Sequence, residues 1–229
     1  MNQDNIVTKI ATWLVPLVIA IVFHEVAHGL VARRLGDPTA EQRGRLSLNP
    51  LKHVDPFGTV ILPLFLAVAN VGAIFGWAKP VPVNYARLRN PRRDMVLVAL
   101  AGPGMNLLLA IAGAAILAAT INLSGGDRDG VGGFLVKSAY AFVLINVFLG
   151  VFNLLPVPPF DGGHVVEGLL PPDLAREFHK IGRFSLVVLI LLLLVLPAIS
   201  PSADVVRRIV SPIVNNIAVA ILGIFGLAG

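Results

Sequence analysis

The stretch Ile21-Val22-Phe23-His24-Glu25-Val26-Ala27-His28-Gly29-Leu30 sets two imidazoles and a carboxylate inside an apolar run. Positions four apart share one face of a helix, so His24 and His28 can reach a single metal ion together. Glu25 lies beside them, placed to accept a proton from a water that the ion activates. The apolar run extends from Ile6 to Leu35 and carries Arg33 and Arg34 at its end. Ionisable residues within such a helix are costly in lipid and mark function. Polar residues that merely join helices have no need of this spacing.

Composition makes lipid the relevant solvent. Hydrophobic residues form 56% of the 229-residue chain and charged residues 14%, with a mean hydropathy of +0.82. Soluble domains carry about 25% charged residues, more than this chain has to cover a wet surface. Its apolar runs reach the roughly 20 residues that a bilayer crossing needs. No cysteine is present, which excludes disulfides, iron–sulfur clusters, zinc knuckles and thiol nucleophiles. The net charge of +5 sits in short loops beside apolar runs, the positive-inside pattern, so nucleic acid is not an expected partner. The first run lacks a basic leader and a cleavage site, so it is not read as a removable signal.

Working outward, Arg43, Arg45 and Lys52 continue the basic connection. Phe57–Trp77 is apolar but carries Pro63, Asn70, Gly72 and Gly76, and Lys79, Arg87, Arg89, Arg92 and Arg93 follow it. Met95–Leu123 is a clear span, Ser124–Gly133 a Gly/Asp turn, and Phe134–Leu155 another span. Ile181–Leu196 and Val205–Leu227 are the last two candidates. The expected fold is an all-α polytopic membrane protein, one domain over residues 1–229, with about five crossings at roughly 20 residues each. Arg45-Leu46-Ser47-Leu48-Asn49 alternates, and a short β element is expected there, able to pair with an unwound substrate. A plain connecting loop is the competing reading of those five residues.

A catalytic zinc site takes three protein ligands and keeps one open position. The best third ligand is Asp161, where Pro156, Pro158, Pro159, Gly162 and Gly163 interrupt the helical pattern. Glu167 is the substitute. His164 is either a supporting residue or a helix-start residue, and His53 and His179 are expected to face water or headgroups. Asn153 is a candidate to contact the oxyanion or substrate backbone, or else to join helices. Gly102, Gly104 and Asn106 are assigned to close helix packing, and Trp13, Trp77 and Tyr85 to interfacial anchoring. For Asp161 to meet the histidines, the first helix and Phe134–Leu155 must run in the same direction. Phe57–Trp77 must then dip into the bilayer and return, and the basic loops at both its ends place them in the cytoplasm. Two histidines, a carboxylate and an open position suit zinc best among divalent ions. No other cofactor is expected.

With these residues in view, the chain resembles the site-2 protease family of intramembrane metalloproteases. The resemblance rests on Phe23-His24-Glu25-Val26-Ala27-His28-Gly29, Gly102-Pro103-Gly104-Met105-Asn106, and Asn153-Leu-Leu-Pro156 leading to Pro159-Phe160-Asp161-Gly162-Gly163. It implies one zinc ion on His24, His28 and Asp161, Glu25 as base, and cleavage of transmembrane segments in membrane-protein substrates, often after an earlier cut. No PDZ-like or CBS-like domain is visible, so a minimal prokaryotic form with its site nearer the cytoplasmic side is expected. The competing functions are a membrane ion carrier and an inactive scaffold that binds transmembrane segments. Glu25 distinguishes them, because an ion pathway needs no base between two ligands.

Overall fold

The structure, a computed structural model, describes residues 6–68, 76–123 and 130–227. Helix α1 (Ile6–Arg34) is followed by a single turn, α2 (Thr39–Gln42), and by α3 (Leu62–Val68). Then come α4 (Pro91–Leu123), α5 (Gly130–Asn153), α6 (Asp161–Leu169) and α7 (Pro172–Gly182). A helix α8 (Ser185–Ile199) and a last helix α9 (Val206–Ile224) complete the chain. Among the described residues four helices, α1, α4, α5 and α9, are long and apolar enough to cross a membrane. The pair α7 and α8, bent by 73°, makes a fifth if it counts as one crossing. The protein is an integral, multi-pass, all-α membrane protein.

Three spans form the centre. α4 packs against α1 and α5, and α1 also touches α5. Where α4, α5 and α9 meet, the small buried residues Ala110, Ala114, Ala139 and Ala218 alternate with Leu117, Val143, Val147, Ile221 and Leu222. In lipid no hydrophobic force draws helices together, so close backbone approach over small side chains supplies the packing. A second cluster, Phe152, Leu155, Phe160, Leu189 and Val210, ties the end of α5 to α8 and α9. Large apolar side chains such as Leu108, Ile116 and Val187 face outward, as a lipid surround permits.

The described ends of the segment 57–77 meet. The Asp55 carboxylate accepts from the Phe57 and Gly58 N–H groups and starts the outgoing turn. On return, the Trp77 N–H donates to Gly58 O at 3.1 Å, and Thr59 Oγ1 donates to Trp77 O at 2.8 Å. The Trp77 indole fills the space where a side chain at 58 would be, so glycine is required there. The two ends of the segment, at Gly58–Thr59 and Trp77, therefore lie together. Asn70 and Gly72 fall outside the described residues, as do 124–129 of the turn before α5.

Two expectations are corrected. No strand occurs among the described residues, and Arg45–Asn49 is an irregular connection. The backbone groups of Arg45, Ser47 and Asn49 are used locally. Arg45 N–H donates to Ala40 O and Ser47 N–H to Arg45 O. Ser47 O accepts from His53 Nε2 at 2.8 Å, and Asn49 N–H donates to Ser47 Oγ. Arg45, Ser47 and Asn49 are thus held by local bonds and not by a ladder. His53 is the second correction: it is buried, 3% exposed, because its ring holds that connection in shape. Asp37 does the same for the next loop, accepting from Thr39 N, Thr39 Oγ1 and Asn84 N. Burial alone would raise its carboxyl, but the Thr39 and Asn84 donors outweigh that and hold it below the usual carboxylate range.

Candidate metal centre

His24 and His28 stand one turn apart on α1 and are both buried. Their Nε2 atoms lie 3.0 Å from each other. Asp161 Oδ2 lies 3.2 Å from His24 Nε2 and 3.4 Å from His28 Nε2. The three form a potential metal-holding group, the one found among the described residues.

The outer nitrogens decide what the inner ones can do. His28 Nδ1 sits 2.7 Å from Val98 O. A carbonyl can only accept, so this Nδ1 carries the proton. His24 Nδ1 meets Asn106 Oδ1 at 2.6 Å. The orientation of that amide follows from its neighbours, because Asn106 Nδ2 faces Asn146 Oδ1 at 2.9 Å and Ala20 O at 3.4 Å. Asn146 in turn donates to Phe142 O. Every link ends on a backbone acceptor, so His24 also carries its proton on Nδ1. Both Nε2 lone pairs and Asp161 Oδ2, itself buried with no hydrogen-bond partner, therefore converge on one another. Three acceptors this close repel one another unless a proton or a metal ion lies between them. A tetrahedral zinc ion, with bonds of about 2.0–2.1 Å, spaces its ligand atoms about 3.3 Å apart, close to the separations found. The residues fit the metal.

Each residue has a structural reason for its place. Gly102 lies where α4 crosses the imidazoles, and a Cβ there would overlap His28 Nε2 and sit 2.6 Å from His24 Nε2. Pro103 has no N–H to donate to Ala99 O, so that carbonyl lacks its usual helical partner next to the histidines. Asp161 opens α6, which folds back on the preceding turn. A Cβ at Gly162 would overlap the Leu154 and Leu155 carbonyls, and one at Gly163 would sit 2.9 Å from Pro158 N. Phe160, packed edge-on to Phe152 at 4.7 Å, fixes the approach. Arg92 of α4 donates to Gly168 O at the far end of α6. Gly102→Ala introduces overpacking of about 1–3 kcal/mol, so zinc retention against a competing chelator is expected to fall by about one to two decades. Metal analysis of the purified variant checks this.

A cavity of about 870 Å³ opens at the group. Its walls include Glu25, Asn153, Trp77, Val81, Met95 and Leu186. Glu25 Oε2 accepts from the Val81 N–H at 2.7 Å. Asn153 donates to Leu149 O of its own helix at 2.9 Å. Glu167, the substitute ligand, lies away from the group and meets His179 Nδ1 at 2.9 Å. His164 is 3.9 Å from Glu167 and His179 is exposed. Trp77 and Tyr85 line the cavity, where interfacial anchoring was expected. Asn106 holds His24, more than the packing role assigned to it, and Asn146 was missed. A buried amide in the middle of an apolar span is costly enough to have marked both.

The family model described as Peptidase family M50 matches residues 12–127 and 130–196. A protein of Bacillus subtilis (strain 168), provisionally named zinc metalloprotease YwhC, is 37% identical over 183 residues, covering 78% of each chain. Rip2 of Mycobacterium tuberculosis (strain ATCC 25618 / H37Rv), provisionally named in the same way, is 35% identical over 189 residues, 82% of this chain and 67% of its own. No solved structure matches this chain significantly.

Proposed function

Because the chain belongs to peptidase family M50 and is with it a zinc metalloprotease, we propose that it cleaves peptide bonds within or beside transmembrane segments of membrane-protein substrates. The observation that carries this reading is the position of the metal group, enclosed by α1, α4 and α6 and opening into a cavity with mostly apolar walls. A soluble peptide has little reason to enter such a place; a segment already in lipid does.

His24, His28 and Asp161 would hold the zinc. Bound zinc supplies a Lewis acid and brings the pKa of water toward neutrality. Glu25 takes the proton of the attacking water and delivers it to the leaving amine. The Val81 N–H engages Glu25 Oε2, which leaves the second carboxylate oxygen for that proton. Asn153 has two amide N–H donors; one is committed to Leu149 O, and the other is assigned to a substrate carbonyl. The basic residues around Arg33, Arg34, Arg89, Arg92 and Arg93 support a cytoplasmic position for this end of the molecule. Membership of regulated proteolysis, a second cut after another enzyme's first, belongs to the same reading.

The test uses purified protein in liposomes with a single-span reporter, and a version of it whose span is replaced by a soluble loop. Cleavage of the spanning reporter is expected, abolished by a zinc chelator and restored by added zinc. Preferential cleavage of the soluble version overturns the intramembrane reading. Activity that survives full zinc removal overturns the metal centre.

A further inference from the structure

We propose that Arg45 is a positioning residue that orients Glu25 through one peptide group. The proposal rests on the reading of Glu25 as the base.

Arg45 is 9% exposed and has no ion-pair partner among the described residues. A buried guanidinium without a carboxylate is costly, and its retention calls for a use. Its Nη2 donates to Lys79 O at 2.7 Å and faces Pro80 O at 3.4 Å. The second of these carbonyls belongs to the peptide group whose N–H is that of Val81. That N–H donates to Glu25 Oε2 at 2.7 Å. One peptide plane thus has a cation on its oxygen side and the carboxylate on its nitrogen side. Hydrogen bonds in such a chain polarise one another, so Arg45 makes the Val81 N–H a stronger donor. Pro80 has no N–H of its own, which leaves Val81 as the donor from this stretch.

The segment is also seated on the right face of α1. Glu25 and Gly29 are one turn apart, so they share a face. A Cβ at Gly29 would overlap Leu46 and sit 2.9 Å from Val81 Cγ1. The bare backbone at Gly29 therefore lets both the Arg45–Leu46 connection and Val81 settle beside the carboxylate. Lys79 N–H to His53 O and Asn84 N–H to Asp37 fix the segment on either side. Arg45 is the side chain that reaches the peptide group in contact with Glu25.

The experiment measures kcat and KM for the spanning reporter, with zinc content, in Arg45→Met, Arg45→Lys, Val81→Pro and the Met/Pro double variant. Arg45→Met is expected to lose on the order of 10²-fold in kcat, the effect of a small displacement of a catalytic group. KM and zinc content stay at wild-type values. Arg45→Lys recovers most of the rate, since an ammonium can still donate to Pro80 O, the oxygen of the peptide group whose N–H meets Glu25. Val81→Pro removes the N–H and reproduces the deficit, and the double variant is no slower than either single one, as members of one chain behave. Unchanged kcat in Arg45→Met, a loss confined to KM, or multiplicative losses in the double variant each overturn the proposal. If Arg45→Met does not retain zinc, Val81→Pro and Arg45→Lys decide, and wild-type kcat in Val81→Pro overturns it. Glu25→Gln separates the two levels. Cleavage by that variant removes the base itself, whereas its inactivity beside an unaffected Arg45→Met removes the Arg45 role alone.

Discussion

Glu25→Gln retains wild-type zinc and loses turnover by on the order of 10²- to 10⁴-fold, the range that a positioned acid–base group contributes. The substitution preserves shape and keeps an oxygen for the Val81 N–H. It removes the capacity to take and return a proton. His24, His28 and Asp161 are untouched, so the metal-holding group stays whole. Turnover of the spanning reporter and metal content of the same preparation check both halves. Turnover within about tenfold of wild type would remove Glu25 from the proton path, because the lost contribution is then below that of a general base.

Asp161→Asn fails differently. It removes the one negative charge that faces both Nε2 atoms at 3.2 and 3.4 Å and leaves two neutral imidazoles. Zinc affinity is expected to fall by more than about 10²-fold, beyond what changes in outer-shell partners produce. Cleavage disappears with the metal and returns in part when zinc is supplied in excess. Equilibrium dialysis against a zinc buffer reads the affinity directly. Stoichiometric zinc at wild-type affinity reassigns the third ligand. The two inactive variants are thereby distinguished, one with its metal and one without.

The polytopic helical fold and the pairing of His24 with His28 were legible because both follow from local spacing and composition. The approach of Asp161 was legible for a different reason. Prolines and glycines stop a helix wherever they stand, and a carboxylate at such a stop in lipid has few uses. That the two ends of 57–77 meet agrees with the charge pattern, which puts basic loops on both sides of the segment. The β element was not borne out because alternation at 45–49 says nothing about where the hydrogen bonds go. Arg45, Ser47 and Asn49 spend theirs on Ala40, one another and His53. His53 was read as exposed because charged neighbours usually mean water, whereas here the ring is enclosed by the connection that it holds. Asn106 and Asn146 lie in spans whose apolar character dominated the reading, and their alignment with His24 comes from the packing of α4 and α5.

The folded-back turn at 154–163 has a bearing on biosynthesis. Both imidazoles emerge from the ribosome on the first span, while the carboxylate emerges only after α4 and α5 have been made. It reaches the imidazoles only once Gly162 and Gly163 let α6 settle against the turn. A nascent chain therefore holds a two-ligand, weak site for most of its synthesis. Firm capture of the ion marks the moment at which the spans have docked, so an incompletely inserted molecule carries no competent protease into the membrane.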